Sequence, residues 1–223
     1  MPKKVVNPEM TTYISIIVDE SGSMHSNWDI TISAYNEFLE DQKRVEGDAR
    51  ITLTKFNSTS TVVYENIPLL EAPVLDRETY APAGCTALCD AVGQTIRTLE
   101  SQCQDKKNTR ALIMILTDGH ENSSREFDTQ KIKNLIKEKE EEGNYTFVFL
   151  SATIDAFDSG EALGIGAGNI ARYAIGNVEG TMRALSSATT GYRESGGLGT
   201  QSLCSANAET FGSAGAEVFG STL

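Results

Sequence analysis

Apolar residues recur along this chain in two rhythms. The segments TYISIIV (12–18), ALIMILT (111–117) and TFVFLSA (146–152) are nearly unbroken apolar runs rich in β-branched and aromatic residues. Such runs predict strands covered on both faces, as in a parallel sheet. Between them the spacing changes to three and four. Trp28, Ile32, Tyr35 and Leu39, with Ile30, Ala34 and Phe38 beside them, predict a helix from Trp28 to Val45. Leu88, Val92, Ile96 and Leu99 predict a second helix. Ile132, Leu135 and Ile136 predict a third, from about Asp128 to Glu142, whose run of lysines and glutamates is a solvated face. RITLTKFN and TVVYENI flank Ser58-Thr59 and predict a hairpin, hence one antiparallel edge strand.

A proline-rich loop follows from Pro68 to Gly84. Further on, a short helix is expected near Asp155 to Leu163, a strand at IARYAIG and a last helix from Val178 to about Ala188. Strands alternating with helices predict an α/β fold: a doubly wound, Rossmann-like, mostly parallel sheet with helices on both faces. Residues 10–192 form this domain. Residues 193–223 are rich in Gly, Ser and Ala and carry only scattered apolar residues such as Leu203, Phe211 and Phe219. They predict a flexible tail, or a segment that orders against a partner or a second copy.

At 223 residues the chain suits one such domain with extra chain, large enough to bury a core without disulfides. The net charge of −12 argues against nucleic-acid and anionic-membrane partners and suits a cation. MPKKVVNPEM carries two lysines with no apolar core of a signal peptide after them, so a cytoplasmic protein is expected, with Cys85, Cys89, Cys103 and Cys204 as reduced thiols. Cys85 and Cys89 lack a second Cys/His pair that would complete a zinc site.

Chemistry gathers where strands end. The run IIVDESGSMHS delivers Asp19, then Ser21 and Ser23 at alternate positions, with Gly22 allowing a tight backbone. GCTALCDAV places Thr86 just before the second helix, and TDGHEN places Asp118 at the end of the most apolar strand. In an open parallel sheet, ligands bind beyond the carboxyl ends of the strands, where strand order reverses. Two carboxylates and three hydroxyls are hard oxygen donors that suit Mg²⁺. Two carboxylates brought within about 6 Å repel by roughly 3 kcal/mol at an effective dielectric near 20, and a divalent ion removes that repulsion.

DESGS, GCTALCDA and LTDG resemble, in order and position, the three loops of the von Willebrand factor A (vWA) domain family. The resemblance covers about residues 10–190. It implies a metal-ion-dependent adhesion site in which Ser21 and Ser23 bind the ion directly and Thr86 directly or through water. Asp19 and Asp118 would act mainly through waters. It also implies Mg²⁺, replaceable by Mn²⁺ or Ca²⁺, and a protein partner that presents Asp or Glu to the open position. Glu20, His25, His120 and Glu121 lie next to these loops in sequence and are expected at the partner-binding rim. The small size is similar to that of intracellular bacterial or phage forms of the family.

An enzyme is not expected. Aspartyl-phosphate chemistry needs a second carboxylate two residues after the first, where this chain has Ser21. There is no Gly-x-Ser-x-Gly elbow, and GIGAGN (164–169) lacks the third glycine of a dinucleotide loop. The alternative to an interaction module is a structural subunit of a larger assembly, docked through the metal face or the tail.

Overall fold

The strand β1 (Thr11–Asp19) lies inside a six-stranded sheet and is hydrogen-bonded on both edges. In this computed structural model, residues 10–105, 107–151, 156–172, 178–195 and 203 are described. The order across the sheet is β3-β2-β1-β4-β5-β6, with β2 (Ala49–Phe56), β3 (Ser60–Pro68), β4 (Thr109–Leu116), β5 (Tyr145–Ser151) and β6 (Ile170–Arg172). Every pair is parallel except β2 with β3, the hairpin that makes the antiparallel edge. The chain runs outward from β1 through β2 to β3, then crosses back to β4 on the other side of β1. The order therefore reverses between β1 and β4, and their carboxyl ends form the topological switch point.

Alternating side chains send the central strands into two apolar layers. Ile14, Ile16 and Val18 face Ala34, Tyr35, Phe38 and Leu39 of α1 (Trp28–Lys43), together with Leu185 and Tyr192 of α5 (Val178–Glu194). Ile17, Ile113, Ile115, Phe147 and Phe149 face the other layer, with Leu88, Val92 and Ile96 of α2 (Leu88–Gln102) and Ile132 and Ile136 of α3 (Thr129–Glu141). The short α4 (Ala156–Ala162) packs against β5 and β6. Burial on both faces explains why the central strands carry almost no polar alternation.

The helices differ from expectation at their ends. The first stops at Lys43, and a side chain from another element binds one carbonyl of its last turn and two in the loop beyond it. Arg193 Nη1 donates to the Gln42 carbonyl at 2.7 Å, and Nη2 donates to those of Val45 and Gly47 at 3.2 and 3.3 Å. A buried cation at a helix C-terminus satisfies orphan carbonyls and opposes the negative end of the dipole. The last helix continues to Glu194, past the expected Ala188 and past residue 192. Leu203, expected in a tail, is buried in the first layer, and its N–H donates to Asn169 Oδ1 at 2.7 Å. The strand expected over 170–176 is seen at Ile170–Arg172, and its remainder lies outside the described residues, as does most of the segment after 195. Among the described residues, Cys85, Cys89 and Cys103 are free thiols, and no helix is long and apolar enough to cross a membrane.

Candidate metal centre

Because β1 is buried to its last residue, Asp19 is delivered to the switch point with no exposed surface. The chain turns at once. Asp19 Oδ1 accepts the Ser21 N–H at 2.7 Å, Oδ2 accepts the Thr117 hydroxyl at 2.5 Å, and the Asp19 carbonyl accepts the Tyr80 hydroxyl at 2.6 Å. The next residues form a 3₁₀ turn, Gly22–Asn27, that leads into α1. This turn sets the Ser21 and Ser23 hydroxyls 3.1 Å apart. Ser23 then donates to Asp118 Oδ1 at 2.7 Å, and Asn27 Nδ2 donates to Asp118 Oδ2 at 2.9 Å. A continuous hydrogen-bonded line thus runs from the loop after β1 to the loop after β4.

Thr86 enters from the third loop. Asn122 holds it from both sides, its Oδ1 accepting the Thr86 N–H at 2.9 Å and its own N–H donating to the Thr86 carbonyl at 3.0 Å. The Thr86 side chain is brought to the same spot as Asp19 by Gly119. A Cβ on Gly119 would sit 3.0 Å from Thr86 Oγ1 and 3.3 Å from Asp19 Oδ2, so the glycine backbone lies close against both oxygens and a larger residue would crowd them. Asp19, Ser21, Ser23, Thr86 and Asp118 therefore converge, as the three loops suggested.

Burial raises the affinity of the Asp19 carboxyl for its proton, and the Asp118 charge adds to that push. The hydrogen bonds from Thr117 and Ser21 oppose it without cancelling it. A desolvated carboxylate facing a second one is a place where a cation is electrostatically welcome. No cluster of three His, Cys, Asp or Glu side chains exists among the described residues. The donor set is instead two carboxylates and three hydroxyls. These are oxygen groups that fit a hard divalent ion keeping part of its water shell, and that do not fit a soft-metal site.

The expected rim divides in two. His25 and His120 are exposed, His25 standing edge-on to Trp28 with ring centroids 5.3 Å apart, and His120 Nδ1 lying 3.2 Å from Ser159 Oγ. The two glutamates are not open rim carboxylates. Glu20 pairs with Lys55 Nζ at 2.8 Å and accepts the Ala81 N–H at 2.7 Å, which fastens the proline-rich loop to the loop after β1. Glu121 accepts the N–H groups of Cys89, Ser123 and Ser124 and the Ser124 hydroxyl, at 2.7–2.9 Å. It thereby occupies the N-terminus of α2, where free N–H groups attract an anion. Burial alone would raise its pKa, but these hydrogen bonds outweigh burial and hold it below the ordinary glutamate range. Adjacency in sequence suggested the rim, whereas unpaired backbone donors nearby decided the outcome.

Thr117, Asn27, Tyr80 and Asn122 support the site, and the sequence reading did not single them out. Thr117 had a usable signal, since it is a polar residue closing an otherwise apolar strand beside Asp118. Tyr80 reaches Asp19 from 61 residues away, and no local pattern announces such a contact. Burial pushes the Cys89 and Cys103 thiols up to about 12, so neither is poised as a nucleophile.

The sequence pattern of the von Willebrand factor type A domain matches residues 14–191, most of the chain. The chain belongs to this family. vWA domains generally mediate metal-dependent protein interactions. No curated protein matches the chain. Among solved structures it is similar to a von Willebrand factor type A protein from Catenulispora acidiphila, at 14% identity and a TM-score of 0.53, covering 82% of this chain and 43% of that one. It is also similar to a variant of the PilB minor pilin from Streptococcus sanguinis, at 14% identity and a TM-score of 0.57, covering 83% and 62%. Manganese-loaded TRAP protein from Plasmodium vivax aligns at 18% identity and a TM-score of 0.49, over 66% and 58%. This vWA chain thus spans 43% to 62% of the length of those structures, and its likeness to the first two is one of fold.

Proposed function

We propose that this vWA domain is a metal-dependent interaction module that binds an acidic group of a protein partner through a Mg²⁺ ion. The observation that carries the reading is the joining of Ser21, Ser23 and Asp118 by hydrogen bonds, with Asp19 and the Thr86 hydroxyl closing on the same point past Gly119. Ser21, Ser23 and Thr86 would hold the ion through their hydroxyls, and Asp19 and Asp118 mainly through its waters. When bound, the ion supplies a positive charge with a coordination position open to a partner's Asp or Glu. Mn²⁺ or Ca²⁺ would substitute in vitro.

In this reading the chain's own residues bind and orient, and they transfer no proton or group. The buried thiols with raised pKa values support a non-catalytic role, and the free thiols agree with a cytoplasmic protein. His25 and His120 would meet the partner at the rim. The test is capture of partners from the native source with Mg²⁺ and again with chelator, using the native chain and Ser21→Ala. Capture that needs both Mg²⁺ and Ser21 supports the reading. A partner retained equally under chelation and by the variant places the interaction surface elsewhere.

A further inference from the structure

Asn27 stands at the N-cap position of α1, where an asparagine ordinarily turns its side chain onto the free N–H groups of the first turn. It makes no such cap bond. Its side chain instead reaches Asp118, with Nδ2 2.9 Å from Oδ2. A carboxylate only accepts, so the amide nitrogen must face it, and this fixes which end of the amide is which. Asn27 is 3% exposed, and its Oδ1 is buried with no hydrogen-bond partner. Buried carbonyl oxygens are rarely left so, and those beside polar sites are commonly met by ordered water.

One cost is therefore accepted at this residue, an unpaired buried oxygen, and it follows from pointing the side chain at the carboxylate opposite Asp19. We propose that Asn27 is a positioning residue of the metal centre. Its Nδ2 fixes the Asp118 carboxylate against Ser23, and its Oδ1 accepts a hydrogen bond from a water in the cation's shell. The inference rests on the metal-centre reading and adds to it a residue outside the three converging loops. Groups that orient metal ligands without touching the metal typically change its affinity by 10–100-fold.

Mn²⁺ serves as the probe, with affinity measured by calorimetry or paramagnetic resonance and the melting temperature measured with and without the ion. Asn27→Leu keeps the buried volume and removes both polar atoms. The expected result is Mn²⁺ affinity at least about tenfold weaker, with a metal-free melting temperature equal to or above the native one. Asn27→Asp keeps the shape and sets a further carboxylate against Asp118. It should melt lower without metal and gain more than the native chain when Mn²⁺ is added. Native affinity in the leucine variant, or the same Mn²⁺-induced gain in Asn27→Asp as in the native chain, would overturn the inference alone. A native chain that binds no Mn²⁺ would overturn the metal-centre reading and this inference with it.

Discussion

Glu121 shows how a single carboxylate is assigned its role by the donors around it. Four hydrogen bonds hold it ionised at the start of α2 against the cost of burial. Because its folded pKa lies below its unfolded one, its contribution is fully present above the unfolded value near 4.3. It is lost as pH falls through the folded value. Asp90, which accepts the N–H groups of Arg125, Glu126 and Phe127, is also depressed and acts in the same direction. Glu121→Gln should therefore destabilise the chain by about 1–2 kcal/mol at neutral pH, by weakening charge-assisted bonds to the backbone. The deficit should shrink when the pH is lowered from neutral to an acid value at which the carboxyl takes up its proton. Urea unfolding of both chains at the two pH values measures this, and a deficit that stays constant with pH would show a packing effect instead. At this scale the sequence was half legible. The five oxygen groups that converge could be read because they lie just past strand ends or just before a helix. Glu20 and Glu121 could not, because their partners Lys55 and Cys89 are 35 and 32 residues away.

The loop after β4 lies across α2, and a glycine makes room for it. A Cβ on Gly93 would meet three ring atoms of the buried Phe127 at 2.6 Å, while Arg97 stacks on the same ring 4.6 Å from its centroid. Ala is the better helix former by about 1 kcal/mol. Displacing a packed ring costs about 1–3 kcal/mol. The clash should win, so Gly93→Ala should lower the melting temperature although propensity alone predicts a rise. A rise would mean that Phe127 moves freely. The apolar spacing revealed α2 and its inward face, but a helical glycine gave no hint of what crosses it. The ends of α1 and α5 were missed for a related reason. The Arg193 that binds the Gln42 carbonyl at the end of α1 lies 151 residues later in the chain, near the end of α5.

Across the whole molecule, the sheet order places the site and fixes where the chain can be shortened. The fold class was legible because fully buried parallel strands and amphipathic helices leave distinct periods, and the reversal between β1 and β4 brings two strand ends together. The boundary at 192 was read from composition, which changes there, while the tertiary bonds of Arg193 do not follow composition. A chain ending after Ser195 retains Arg193 and should unfold cooperatively, with a modest loss from the missing Leu203 contact. One ending at Tyr192 leaves the carbonyls of Gln42, Val45 and Gly47 without this partner and should be less stable than the 195-residue form by about 1–3 kcal/mol. Thermal unfolding of the two truncated chains decides between them, and equal stability would show that the arginine clamp is dispensable.

The central claim is that Asp19, Ser21, Ser23, Thr86 and Asp118 hold a divalent cation, and metal-linked stability tests it most directly. The melting temperature is followed through a Mg²⁺ titration for the native chain and for Asp19→Asn, which preserves the shape of the buried carboxylate without its charge. The native chain should gain about 2.7 kcal/mol when Mg²⁺ reaches a hundredfold excess over its dissociation constant. Asp19→Asn should be at least as stable as the native chain without metal, because the strained buried charge is gone, and should gain nothing from Mg²⁺. A native chain whose melting is the same in Mg²⁺ and in chelator, or a variant that gains as much as the native chain, would contradict the account.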